Sequence, residues 1–182
     1  PNTKYYYKVR TTTGNLSALY TFNTHPTKTS ETSINLVAMS DMQSDSSNPN
    51  VFETIIDNGI IPVANANYAN GMEDIEAILI PGDLVASGSY SSWRNTFFAP
   101  ADDISAFVPI YPVLGNHEYF GTGVSLYLDY FNLPLNGSTS NPEEWWYKDI
   151  SNVRIVGLNS NSPSADLTTQ LSWLQTVLDD AG

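Results

Sequence analysis

Three short apolar runs in this 182-residue chain each end in side chains able to bind a cation. Ile34–Met39 leads to Asp41 and Gln43, Ala77–Ile80 to Asp83, and Val108–Leu114 to Gly115, Asn116, His117 and Glu118. Carboxylate and carboxamide oxygens are hard donors, and an imidazole can bind metal or move a proton near neutral pH. A single aspartate after a strand is commonly a turn or cap residue. Three such endings, Asp-x-Gln, Gly-Asp and Gly-Asn-His-Glu, point to one shared site, because ligands of open α/β sheets collect beyond the carboxyl ends of the strands.

Composition narrows what that site can act on. Lys and Arg number 7 against 19 Asp and Glu, a formal charge of -12, and no basic patch offers a footprint for a nucleic-acid backbone. The same acidity repels an anionic substrate, so a site on this chain acting on one needs bound cations to reverse the local field. The absence of cysteine excludes disulfides, thiolate metal sites and a cysteine nucleophile. No run approaches the roughly 20 apolar residues of a membrane span. Abundant Asn, Ser and Thr with few lysines lean toward an extracellular or periplasmic protein, and Asn15-Leu16-Ser17 and Asn136-Gly137-Ser138 are formal glycosylation sequons. A chain opening on Pro1 and closing on Asp179-Asp180-Ala181-Gly182, just after a helical pattern, reads as an excised piece.

The positioning elements follow from periodicity. Alternation over Tyr5–Arg10 and Ala18–Phe22, around Thr13-Gly14-Asn15, predicts a β-hairpin. A Thr- and Ser-rich linker over 24–32, with His25 solvated beside Pro26, puts a domain boundary near Ser30. Ile34–Met39 suits a strand buried on both faces. Asn48-Pro49 suits the start of a helix through Val51, Phe52, Ile55 and Ile56, pausing at Gly59–Pro62 and resuming through Ala66. Ala77–Ile80 is a second strand, Trp93–Phe98 a helix, Val108–Leu114 an irregular or edge-like strand because of its two prolines, and Leu126–Phe131 one or two helical turns. Trp145–Asp149 and Val153–Leu158 read as antiparallel strands around Ser151-Asn152. Leu167, Leu171, Leu174 and Leu178 repeat at helical spacing, with Ser164 or Asp166 as N-cap. Alternating β and α signals predict a layered α/β domain. Asn159 either faces the cleft or serves a turn, and Tyr119, Phe120, Trp145 and Trp146 either shape a substrate mouth or pack under the loop 121–140.

The blocks from Ser33 onward resemble the calcineurin-like metallophosphoesterases, within them the purple acid phosphatase-like group, chiefly through Gly115-Asn116-His117-Glu118. Upstream, Tyr5 to Val9 and then Tyr20, Phe22, Thr24 and Pro26 are similar to the closing strands of the fibronectin-like β-sandwich that precedes the catalytic domain in that group. The resemblance implies part of a four-layer α/β/β/α sandwich, with residues 1–30 the terminal hairpin and linker of a fibronectin-like domain and 31–182 the first half of the catalytic domain. It implies two divalent or trivalent metal ions, drawn from Mn, Fe, Zn and Mg. Asp41 would ligate the first, Asp83 would bridge both, Asn116 would ligate the second, His117 would touch the substrate and Glu118 would orient the loop from behind. A metal pair about 3.5–4 Å apart lowers the pKa of a water and clamps an ester for in-line attack. The implied activity is hydrolysis of phosphomonoesters or diesters by a metal-activated hydroxide.

Two departures qualify the resemblance. Many members carry histidine where Gln43 stands, and an amide ligand there shifts preference toward Mg or Mn; alternatively Gln43 only hydrogen-bonds nearby. Purple acid phosphatases place a ferric-binding tyrosine shortly after the bridging aspartate, whereas Leu84-Val85-Ala86 follows Asp83. The family completes its site with a further histidine and a Gly-His-x-His motif downstream, but this chain has only His25 and His117. The remainder of its own catalytic domain is therefore an expected partner, and this piece alone is expected to hold metal weakly and to be inactive. The rival reading is an exported binding or adhesion module that keeps the fold without catalysis.

Overall fold

The computed structural model describes residues 1–137, 143–161 and 167–181. The proposed caps Ser164 and Asp166, and Ser138 of the second sequon, lie outside the described residues. The hairpin is present: β1 (Lys4–Tyr7) pairs antiparallel with β2 (Tyr20–Asn23), with Tyr5 opposite Phe22. Gly14 turns it at φ 95°, where a side chain would strain the backbone. The hairpin is docked, not free. Lys4 Nζ lies 2.5 Å from Glu73, Tyr7 Oη donates to Ala106 O at 2.7 Å, and Tyr20 meets Phe107 edge-on at 5.9 Å. His25 belongs to this junction and is partly buried, its Nε2 2.9 Å from Glu76 O and its ring beside Tyr111. It is not the solvated linker residue expected from its neighbours in sequence. Burial holds its pKa below the ordinary histidine range.

The central unit is a parallel three-stranded sheet in the order β3 (Leu36–Ala38), β4 (Ala77–Ile80), β5 (Ile110–Pro112). Only β4 is buried as a continuous apolar run should be, with Ala77, Ile78 and Ile80 at most 1% exposed. β3 is an edge strand among the described residues, and its Leu36 is 38% exposed, so the reading of Ile34–Met39 as buried on both faces does not hold. The proline-bearing β5 is an edge as its sequence predicts. Val113 N–H and Pro109 O bond to β4, so Pro112 faces the other way, where its carbonyl accepts from Tyr127 Oη (2.9 Å) and Trp146 Nε1 (3.3 Å).

The first helix starts later than Asn48-Pro49 suggests, because Asp45 Oδ1 captures the Ser47 and Asn48 amides in a local turn, both at 2.7 Å. α1 (Val51–Ile55) passes through a π-helical turn, Ile56–Ile60, into α2 (Ile61–Asn67). The widened turn falls at Gly59 and just before Pro62, where a proline cannot continue the regular ladder. α3 (Tyr90–Ser92), capped by Ser89, runs into a second π-helical stretch, Trp93–Phe98, followed by α4 (Asp102–Ser105) and α5 (Ser125–Tyr130). Trp93, Phe97 and Phe52 from these segments are at most 2% exposed and stack in one cluster with Tyr127 and Phe131. Burial of each such ring contributes roughly 1.5–3 kcal/mol.

β6 (Trp146–Ile150) and β7 (Val153–Gly157) form the expected antiparallel pair, and Trp145 and Trp146 are buried in it, not placed at a substrate mouth. α6 (Leu167–Asp179) turns Gln170, Trp173, Leu174 and Val177 inward, whereas Leu167, Leu171 and Leu178 are more than half exposed. The leucine repeat and the buried stripe therefore differ. Arg154 anchors the helix end: its guanidinium takes both Asp149 oxygens (2.7 and 2.8 Å), donates to Val177 O (2.7 Å) and lies 4.3 Å over Tyr147.

The Arg154 guanidinium holds the Asp149 carboxyl below the ordinary carboxylate range. Its contribution to stability is fully present above the unfolded value, about 3.9, and is lost as pH falls through the lower folded one. Arg154→Lys, which loses the planar fork, should lower unfolding free energy by about 2 kcal/mol at pH 7. The deficit should shrink below about pH 3 in urea titrations followed by circular dichroism.

Candidate metal centre

Asp41, Asp83 and Asn116 follow the carboxyl ends of β3, β4 and β5, so the three sequence blocks become three adjacent loops on one edge of the parallel sheet. Asp41 and Asp83 share an uncommon conformation, with φ of 54° and 53°. A side chain in the left-handed region costs roughly 1–2 kcal/mol, less for Asp than for most residues. Repetition of that strain at the same place on neighbouring strands directs attention to function. Gln43 joins these two loops. With its amide nitrogen turned to the acceptors it faces, it donates to Asp41 O (3.2 Å) and Asp83 O (3.0 Å), leaving Oε1 as the atom available to a cation.

The second and third loops touch backbone to backbone. A Cβ on Gly82 would lie 2.7 Å from Gly115 Cα, and one on Gly115 would lie 2.2 Å from Asp83 Oδ1, so neither position admits a side chain. Glu118, at 0% exposure, closes the junction. Its Oε2 accepts from the amides of Gly115 (2.7 Å) and Asp83 (3.0 Å), its Oε1 from those of Leu84 (2.8 Å) and Val85 (3.2 Å). Burial holds this carboxyl above the ordinary carboxylate range, and the four amides offset only part of that rise. Because every partner is a donor, both oxygens must accept, which is the work of a carboxylate.

His117 N–H donates to Asp83 Oδ1 (3.2 Å), and His117 Nδ1 lies 2.9 Å from Ala86 O. A carbonyl can only accept, so Nδ1 carries the proton and Nε2 is the nitrogen left for chemistry. Phe120, 53% exposed, stands edge-on to the imidazole at 5.5 Å, so of the four aromatics considered for a mouth it is the one at the surface beside this ring. Asn116 is exposed. Asp41 Oδ2 accepts from Ser40 Oγ at 2.6 Å.

A cavity of about 740 Å³ lies at the hairpin junction between Tyr7, His25, Phe107 and Tyr111. None of the candidate residues lines it: Asp41 and Asn116 are exposed, and Gln43, Asp83 and His117 are half-buried. Among the described residues no three His, Asp or Glu side chains form a group that could hold a metal. The donors present, two carboxylates and two carboxamides, fit one wall of a hard-cation site and supply no imidazole or thiolate ligand for a softer ion.

A family model of the calcineurin-like phosphoesterases matches residues 34–176. The chain belongs to the calcineurin-like phosphoesterase family. The matched span contains all three strand-end loops. Among solved structures, a purple acid phosphatase isolated from yellow lupin (Lupinus luteus) seeds superposes with a TM-score of 0.67 at 22% identity over 98% of this chain, and so shares the fold. This calcineurin-like chain spans 34% of the lupin protein's length. No curated protein sequence matches it significantly. Among the described residues no helix is long and apolar enough to cross a membrane.

Sequence reasoning did not find Gly82 and Gly88 as contact points. A Cβ on Gly88 would meet the carbonyls of Glu118, Phe120 and Gly123 within 2.8 Å. The signal available was a glycine close to each side of the aspartate-bearing turn.

Replacing Glu118 by Gln keeps one acceptor oxygen and points an NH₂ at buried amides. It should lower unfolding free energy by about 3 kcal/mol, since each orphaned buried amide costs about 1–3. Urea denaturation checks this, and a loss under about 1 kcal/mol would show that water or backbone movement replaces the lost acceptor.

Proposed function

We propose that this polypeptide forms the metal-binding edge of a hydrolase acting on phosphomonoesters or phosphodiesters. The observation that carries the reading is the pair of left-handed aspartates at adjacent strand ends, locked to the Asn116-His117 loop inside a span matched by the phosphoesterase family. Asp41, Asp83 and Asn116 would hold a metal pair, Asp83 between the two ions, with Gln43 Oε1 as a further donor to the first. Mn or Mg suits this all-oxygen set. When bound, the pair would supply a lowered water pKa and offset negative charge on the phosphoryl oxygens.

The chain's own residues do the rest. Ala86 O fixes the His117 ring by accepting from Nδ1–H, and in the imidazolium form, with a proton on both nitrogens, Nε2 would donate to a phosphoryl oxygen or give its proton to the departing alkoxide. Glu118 holds no substrate in this scheme; it fixes the distance between the Asp83 and Asn116 loops. In this proposal residues 1–30 are the end of a preceding fibronectin-like domain and 31–182 the first half of the catalytic domain, a reading that rests on the sequence blocks of each part. The remainder of that domain would be the partner that completes the site. An exported location agrees with the sequence composition.

The test is hydrolysis of p-nitrophenyl phosphate and its bis ester by the full-length protein with Mn, Mg, Fe or Zn, across pH. Asp83→Asn should abolish turnover and weaken metal binding. His117→Ala should slow turnover by about 10²–10⁴-fold with metal still bound. Equal metal loss in both variants, read by calorimetry, would contradict these roles. A protein that binds no divalent ion yet binds a glycan or another protein would favour the non-catalytic adhesion reading.

A further inference from the structure

Behind the Asn116-His117 loop lies a polar centre that neither the fold nor the metal-binding edge accounts for. Asn159 follows β7 and is 0% exposed. Every polar atom it carries is used. Its Nδ2 donates to Tyr119 Oη (2.8 Å) and Glu144 Oε2 (3.0 Å), and its Oδ1 accepts from Asn161 N–H (3.0 Å). Its backbone is clasped at both ends by one amide: Asn159 N–H donates to Gln170 Oε1, and Gln170 Nε2 donates to Asn159 O, both at 2.9 Å. Both Nδ2 hydrogens are committed within the protein, and at 0% exposure the side chain is turned away from the surface where a ligand would bind. A fully satisfied buried network instead fixes a unique arrangement, because each broken bond would strand a partner away from water.

What the network fixes is decided by where it ends. Tyr119 closes the short helical turn His117–Tyr119, and Tyr119 N–H returns to Asn116 O at 3.3 Å. Glu118 clamps this turn to the Asp83 loop; Asn159 clamps the neighbouring residue to β7 and α6. The turn is thus held from two sides by buried groups, with Asn116 and His117 at its outer end. Gln170 explains its own burial in the same way, as the polar member of the inward stripe of α6.

We propose that Asn159 is a positioning residue for the metal-binding edge: acting through Tyr119, and itself set by Gln170, it fixes the helical turn that presents Asn116 and His117 beside Asp83. The inference rests on the reading of Asn116 and His117 as metal and substrate groups. Pulling the turn out of place by as little as 1 Å would cost catalysis heavily without removing any group that touches substrate.

The experiment compares Tyr119→Phe, which deletes only the hydroxyl, Asn159→Ala, and a control, Leu174→Ala, on the inward face of the same helix but outside the network. Backbone amide exchange and the His117 imidazole resonances are read in the full-length protein. Tyr119→Phe and Asn159→Ala should speed exchange at Gly115, Leu84 and Val85 by at least about tenfold over the control and shift the His117 signals. In active protein they should lower kcat by about tenfold or more with KM within about twofold. Exchange and imidazole signals matching those of Leu174→Ala would overturn the proposal, and Tyr119→Phe keeps it testable should Asn159→Ala fail to fold. Full-length protein lacking all phosphoesterase activity would defeat the functional reading separately, while the exchange comparison still decides the positioning claim.

Discussion

A single carboxylate taking four amide hydrogen bonds sets the geometry on which the candidate site depends. Gly82 and Asp83, both at positive φ, turn the backbone so that the N–H groups of Asp83, Leu84 and Val85 converge into a small anion-binding concavity. The chain fills that concavity with its own Glu118 and ties Gly115 into the same carboxylate. The amides that could have cradled an outside anion are thereby consumed. What remains at the surface are the oxygens of Asp41, Asp83, Asn116 and Gln43, which suit a cation. In a chain of formal charge -12, an anionic substrate can approach such an edge only after cations have been bound.

The same economy of space explains the conformations around it. Gly115 and Gly82 must lack side chains because the two loops share one van der Waals layer. Asp41 and Asp83 accept left-handed backbones, and Gln43 bonds both of their carbonyls, so the strained residues are pinned by a neighbour. Strain held by over-determined surroundings is what sites with preset geometry display. The buried core of Trp93, Phe97, Ile78 and Ile80 provides the rigid base from which these loops project.

Much of this was legible in the sequence where short-range pattern and long-range packing agree. The apolar runs became parallel strands, and the polar residues that end them came to one edge of the sheet. The proline-bearing run at 108–114 became an edge strand because proline withholds a ladder donor. Reading failed where a neighbour distant in sequence decides burial. Leu36 looks like a core residue but lies on an edge strand, and Leu167, Leu171 and Leu178 of the α6 repeat face outward while Gln170 faces in, held there by the backbone of Asn159. His25 looks like a solvated linker residue, yet Glu76 and Tyr111, both far along the chain, enclose it. The fourfold role of Glu118 was likewise invisible, because three of its four donors lie more than thirty residues away.

The proposed site would place Asp83 between two metal ions, with Asn116 on one of them. Anomalous diffraction from crystals of the full-length protein grown with Mn, collected on both sides of the metal edge, tests it most directly. Two anomalous peaks separated by about 3.5–4 Å, with the Asp83 carboxylate between them and Asn116 bound to one, are the expected result. Anomalous density remote from β3–β5, or full Mn loading with Asp83 and Asn116 uninvolved, would contradict it.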